Sequence, residues 1–333
     1  MDIKRTKLCK AVALSTLVMA TGSVFAVDKP DQVTVGYFLE WPTANQSAQV
    51  EKLYDKAMGV EVKWRAFDSG TAMSAAMASG DVDLAYSQGF VPFTVAVSQG
   101  LPIKMIGVAV SYAENDNCVV SKKSGITQDS AKQLEGQSVA VPFGTVAHYK
   151  MLRVLTHLEV DTKKVKMLDM APADGAAAIA RGDVAMACGW GGALRRMKQY
   201  GPVLMSASDQ EAMGIRVFDV ISASNRFADK YPELVTQFLQ VTDDANAAYI
   251  DEPDKYAPVI AKAAGLSVDD SNQILDLFDF PLKDTQLSTS WMGGTVQGYT
   301  KQVADFFVKH KQIPKALDDY SATIDTRFYE AVK

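Results

Sequence analysis

The chain has 333 residues, 48% of them apolar, and carries 39 acidic against 34 basic side chains for a net charge of −5. That length suggests two domains sharing a sizeable core, and the acidic balance argues against nucleic acid as a partner. Three scattered histidines and no zinc-type spacing give no ground for expecting a metal or cofactor.

The first ten residues are basic, with Lys4, Arg5, Lys7 and Lys10 against Asp2. An apolar stretch over 11–20 leads to Val24-Phe25-Ala26, the pattern of a secretory signal peptide cleaved near Ala26. Residues 1–26 are therefore expected to be removed, leaving an exported, soluble chain of charge −8. Cys118 and Cys188 remain, each in an apolar strand-like run, and two buried thiols are expected in preference to a bridge.

Alternation of strands and helices then runs through the chain. A strand over 33–37 precedes the loop Phe38-Leu39-Glu40-Trp41-Pro42 and a helix over 48–58. A strand over 60–64, a helix over 90–99 and a strand over 103–110 follow. Residues 72–85 read as a helix, a Gly80-Asp81 turn and a strand, and the pattern recurs 102 residues later with Gly182-Asp183. Each glycine suits a left-handed helix terminus. Two copies of one α/β unit imply two similar lobes. The loops Tyr86-Ser87-Gln88-Gly89 and Gly189-Trp190-Gly191-Gly192 leave corresponding strand ends, so both point to a cleft between the lobes.

The stretch Ser138-Val139-Ala140-Val141-Pro142-Phe143-Gly144-Thr145-Val146 organises the second lobe. Its apolar strand should stop at Pro142, Gly144 loosens the turn, and Thr145 caps the helix that follows. The unpaired N–H groups there, with the helix dipole behind them, suit a small anion. A plain capped helix is the other reading. Val217-Phe218-Asp219-Val220-Ile221 is a strand returning to the first lobe, and helices are expected over 232–249, 253–264, 268–277 and 295–309. The expected lobes are 27–112 with 225–333, and 113–224, with crossings near 111–117 and 221–225.

Phe67-Asp68-Ser69-Gly70, Ala78-Ser79-Gly80-Asp81-Val82, Ala140-Val141-Pro142-Phe143 and Thr145 with His148-Tyr149 occur in the order and spacing of a known family. In them the chain resembles the taurine/sulfonate/nitrate periplasmic binding proteins, the solute receptors of ABC importers, and is most similar to the taurine-binding branch. The resemblance implies an α/β, two-lobed type II periplasmic binding protein. Each lobe would be a mostly parallel sheet flanked by helices, with the ligand in the interlobe cleft. It further implies a non-enzymatic, monomeric receptor in the periplasm that hands a taurine-like aminosulfonate to the transmembrane subunits of an ABC permease.

By that resemblance the sulfonate would meet the N–H groups near Gly144, Thr145 and Val146, the Thr145 hydroxyl, and His148, which could equally be a core histidine. Family members often carry several hydroxyl residues there, and this chain keeps one. Asp219 matches the amine-binding aspartate; an ion pair with Arg216 or Arg226 is its other reading. Glu40 beside Trp41 suits a cationic head, or is a solvated loop acid. Ser87, Gln88 and Trp190 would complete the cleft wall. Two acids and two tryptophans also admit a compact cation such as guanidinium, a small amine or another zwitterion. An enzyme of the pyrimidine-precursor type would need clustered His or Cys, which this chain lacks, whereas a periplasmic sensor module fits every residue quoted.

Overall fold

The computed structural model describes residues 29–333, so the expected signal peptide lies outside the described residues. Among those described, no helix is long and apolar enough to cross a membrane. The chain builds β1 (Gln32–Phe38), β2 (Glu61–Phe67), β3 (Leu84–Gly89) and β4 (Ile103–Tyr112), then crosses to β5 (Asp116–Val120), β6 (Ser138–Val141), β7 (Lys166–Asp169) and β8 (Met186–Trp190). It returns as β9 (Val217–Ser224) and closes with β10 (Phe278–Asp279).

Two sheets result, ordered β10-β4-β9-β3-β1-β2 and β5-β8-β6-β7. Their inner strands follow one plan. β2, β1 and β3 run parallel, with the antiparallel β9 next to β3. In the second sheet β7, β6 and β8 run parallel, with the antiparallel β5 next to β8. The crossing strands β9 and β5 run against their neighbours; in the first sheet β4 pairs antiparallel with β9 and β10 antiparallel with β4, so four of its six strands share one direction while three of its five pairings are antiparallel.

The sequence echo marks the matching helix–strand pieces of the two units. Helix Gly70–Ser79 ends on Gly80 at φ 83° and feeds β3, while helix Pro172–Arg181 ends on Gly182 at φ 85° and feeds β8. Glycine occupies both positions because the left-handed region is open to it without steric cost. Helices cover both sheet faces, so β3 and β9 are buried along their whole lengths.

Three expectations change. β9 pairs with β3 and β4 from Val217 onward, so the return crossing falls just before that strand rather than at 221–225, and a second lobe ending at 224 would take a whole strand of the first sheet with it. A strand buried on both faces carries no alternation that says which sheet it joins. The helix over 48–58 is two short ones, Gln46–Val50 and Leu53–Met58, broken where Lys52 adopts a left-handed conformation at φ 55°.

Cys118 and Cys188 form a disulfide rather than two free thiols. The register of β5 and β8 sets them directly opposite each other, with Cα atoms 3.9 Å apart. Burial and pairing are compatible, and an apolar run alone does not separate them. The bridge spans 70 residues, a loop for which a disulfide typically contributes about 2–4 kcal/mol through the unfolded state. Reduction is expected to lower the unfolding free energy by an amount in that range, read as a lower denaturant midpoint, while leaving the native ligand affinity unchanged. An unchanged midpoint would show that the second sheet does not depend on the bridge.

Candidate functional site

The strand ends converge on a small cavity between the lobes. Phe38, Gly89 and Tyr112 close β1, β3 and β4 on the first-lobe side, where Trp41, Gly70, Pro92 and Asp219 also line it. Trp190 closes β8, and Asp116, Thr145 and Val146 complete the second-lobe side. This is the position at which parallel sheets present their ligands.

Asp219 is the centre of a hydrogen-bonded chain. It is 2% exposed, and its carboxylate accepts from the Ser87 hydroxyl at 2.7 Å and the Tyr112 hydroxyl at 3.0 Å. The Ser87 oxygen in turn accepts from the Trp41 indole N–H at 2.9 Å. Ser87 reaches this position because the pairing of β3 with β9 shifts between Ala85 and Gln88, and Ser87 sits at φ 63°. A non-glycine residue held in the left-handed region costs on the order of 1–3 kcal/mol, which the surrounding structure must supply.

Among the described residues no cation answers Asp219. Arg216 lies over Trp291 and donates to the Ser290 carbonyl, and Arg226 sits 3.8 Å from Asp83. Burial therefore pushes the Asp219 carboxyl up to about 7, helped by the nearby charge of Asp116 and opposed by the bonds from Ser87 and Tyr112.

Asp116 is a second buried acid that the sequence reading missed. It is 1% exposed, its Oδ1 has no hydrogen-bond partner among the described residues, and burial raises it to about 7 against the pull of Lys150. Its neighbours Ala113-Glu114-Asn115 read as a polar crossing, and nothing local says that the first residue after such a crossing is buried. Tyr112 was missed for the same reason, as the last residue of a strand otherwise read as core.

The remaining expected residues divide. Trp41, Thr145, Val146, Trp190 and Asp219 line the cavity, and Ser87 stands one hydrogen bond behind it. Trp190 packs at a tilt on Phe38, and Trp41 meets Tyr112 edge-on, so the walls are aromatic. The Thr145 hydroxyl is committed to the helix Val146–His157: it donates to the Pro142 carbonyl at 2.6 Å and accepts from the His148 N–H at 3.3 Å. Val146 brings a methyl group to the neighbourhood of Gly89.

Four of the expected residues do not face the cavity. Gly144 donates its N–H to His148 Nδ1 at 3.1 Å. The His148 ring stacks on Phe143, is 1% exposed, and is held neutral by burial, which lowers it to about 4. It is thus a core histidine. Gln88 is consumed by the Gly70 carbonyl and the Ser74 and Ser222 hydroxyls. Glu40 faces away, because its φ of 54° turns the loop so that Trp41 points inward and the carboxylate outward.

Outside the cavity Glu40 joins the lobes. Its carboxylate pairs with Arg196 of the second lobe at 2.8 Å, and its carbonyl accepts from the Gly192 N–H at 3.3 Å. Arg195 reaches Asp270 of the first lobe at 2.5 Å. The lobes are closed on each other, with the Gly191-Gly192 turn packed against the Glu40 loop.

Two sheets of shared plan, joined by two crossings around a cleft, define the two-lobed substrate-binding class of α/β proteins. The NMT1/THI5-like family model matches residues 48–256, and the chain belongs to that family. It is 31% identical over 320 residues to the taurine-binding periplasmic protein of Escherichia coli K12, a match spanning 95% of this chain and 98% of the relative. Its fold matches that of the alkanesulfonate-binding protein SsuA from Xanthomonas axonopodis pv. citri bound to MOPS, with a TM-score of 0.74 at 21% identity over 90% of this chain and 99% of that one. It also matches the aliphatic sulphonate binding protein SsuA from Escherichia coli, with a TM-score of 0.71 at 22% identity over 91% and 100%. These relatives are binding proteins rather than enzymes.

Proposed function

We propose that the chain is the periplasmic solute receptor of an ABC importer and that its cargo is a compact organic cation, of the guanidinium or small-amine class. The receptor role rests on the family and on the enclosed position of the site between the two lobes. The observation that carries the ligand is the sign of the cavity. Two buried carboxylates, Asp116 and Asp219, line it with four aromatic rings, and no Lys, Arg or His does. A cation entering there supplies the partner that Asp219 lacks and adds to the one that Lys150 gives Asp116, and the rings add cation–π attraction.

An aminosulfonate such as taurine is the second reading. The relatives favour it, and the helices that begin at Gly70, Phe90 and Val146 all start at the cavity wall. A sulfonate would have to rely on their main-chain N–H groups, since the one hydroxyl at the Val146 helix start is already used. Either ligand would be handed, by a monomeric receptor, to the transmembrane subunits of the permease.

The test is the pH dependence of binding. Both acids sit near 7 when the site is empty, so a cation binds their ionised forms and displaces protons. Affinity for guanidinium is expected to be level above about pH 7.5. It should fall at least tenfold per pH unit below about 6.5, with proton release measurable by calorimetry in buffers of different ionisation heat. Stability of the unliganded protein should move the opposite way. An acid raised from its unfolded value favours folding while protonated, and that contribution is lost as pH rises from about 4 through 7. Affinity that is flat from pH 5.5 to 8 would contradict the reading.

A further inference from the structure

Lys150 is the only Lys or Arg in the fully buried set of described residues, at 2% exposure. It lies one turn into the helix whose start lines the cavity, and its ammonium donates to the Ala113 carbonyl at 2.9 Å and to the Asp116 carbonyl. Ammonium groups of this kind are almost never fully buried without a charge to answer. A methionine would fill a similar volume but leave the Ala113 and Asp116 carbonyls without that donor.

We propose that Lys150 is a specificity-determining residue, its buried ammonium offsetting one of the two cavity carboxylates so that the closed site balances a ligand of one positive charge. The inference rests on the cation reading of the site. Counting the buried ionised groups, Asp116 and Asp219 against Lys150, leaves a single negative charge for the ligand to neutralise. A dication would leave an uncompensated positive charge in a closed aromatic cavity, which costs several kcal/mol.

The surroundings agree. Asp219 and the Tyr112 hydroxyl are the other titratable groups at Asp116. Burial lowers Lys150, while Asp116, Glu114 and Glu211 raise it and Lys198 opposes them. Glu114 and Lys198 lie 3.8 Å apart and partly exposed, so they answer each other. Asp116 is left as the acid that Lys150 serves.

The test compares Lys150→Met with the native protein in titrations with guanidinium and with 1,4-diaminobutane, which stays doubly protonated across the range, from pH 5.5 to 8. The native protein is expected to prefer guanidinium. In Lys150→Met the ratio of the two affinities should shift at least tenfold toward the dication, and the midpoint of the guanidinium pH profile should move up. The double variant Asp116→Asn with Lys150→Met restores the charge count and should restore the native preference. An unchanged ratio and midpoint in a folded Lys150→Met protein would overturn the proposal.

Should that variant not fold, titration of the Asp116 carboxyl by carbon NMR in the native protein decides. A titration displaced above that of Asp219 would mean that Lys150 gives it no support, and one at or below it supports the proposal. A native protein that binds neither cation refutes the cation reading itself, while the carboxyl titration still reports on Lys150.

Discussion

Replacing Asp219 by Asn is expected to weaken binding of the cationic ligand at least thirtyfold at pH 8, and to leave the unliganded protein as stable as the native chain or more so. Asparagine keeps the shape of the side chain and can still accept from Ser87 or Tyr112. What disappears is a charge that no cation among the described residues answers. Removing one member of a buried, hydrogen-bonded charge pair costs roughly 2–5 kcal/mol of binding, hence the expected fold-change. In the empty protein the same charge is a liability, because burial already disfavours its ionised form. Loss of affinity without loss of stability separates a ligand-binding acid from a structural one. A variant that melts several degrees lower and binds normally would make Asp219 part of the core. Titration calorimetry and thermal melting at pH 8 give both readings on one sample.

The second large effect concerns closure. Gly191 adopts φ 53°, and a Cβ placed on it would lie 2.5 Å from the Glu40 carbonyl and 3.0 Å from the Trp41 ring. Those are first-lobe atoms, so Gly191→Ala should hold the lobes apart without disturbing either sheet. A left-handed alanine adds about 1–2 kcal/mol of strain, and the contact with the other lobe adds more. Affinity is expected to drop at least tenfold, with the ligand-saturated variant retaining a larger radius of gyration by small-angle scattering.

Gly100→Ala is the control. Gly100 is left-handed at φ 88° with open space around the site of its Cβ, so that change should lower stability and leave affinity intact. Equal affinity losses in the two variants would show that backbone strain, not obstruction of closure, is responsible. The Glu40–Arg196 pair is half-exposed on both sides and contributes at most about 1 kcal/mol. Removing it is the milder perturbation of the same interface.

How much of this was legible in the chain depends on how local each determinant is. The strand at 138–141, the Pro142 stop and the Thr145 cap depend on neighbours within four residues, and the structure places all three as read. The echo around Gly80 and Gly182 is likewise local, and it revealed the repeated unit before any sheet was seen.

What failed was non-local. The pairing of Cys118 with Cys188 follows from the register of β5 on β8, and the membership of β9 in the first sheet from which edge it meets. Glu40 and Trp41 are adjacent in sequence and face opposite ways because one backbone angle is positive. His148 is one turn from the cavity but is captured by the Gly144 N–H. Asp116 and Lys150 are 34 positions apart, and only the fold makes them neighbours.

The most direct test of the central claim, that the cavity reads positive charge, is calorimetric titration of the native protein with guanidinium, taurine and ethanesulfonate at pH 8. The account predicts tight, saturable binding of guanidinium and none of ethanesulfonate, with taurine binding no more tightly than guanidinium. Binding of ethanesulfonate with no response to guanidinium would contradict it, and would move recognition from Asp116 and Asp219 to the helix starts at Gly70 and Thr145.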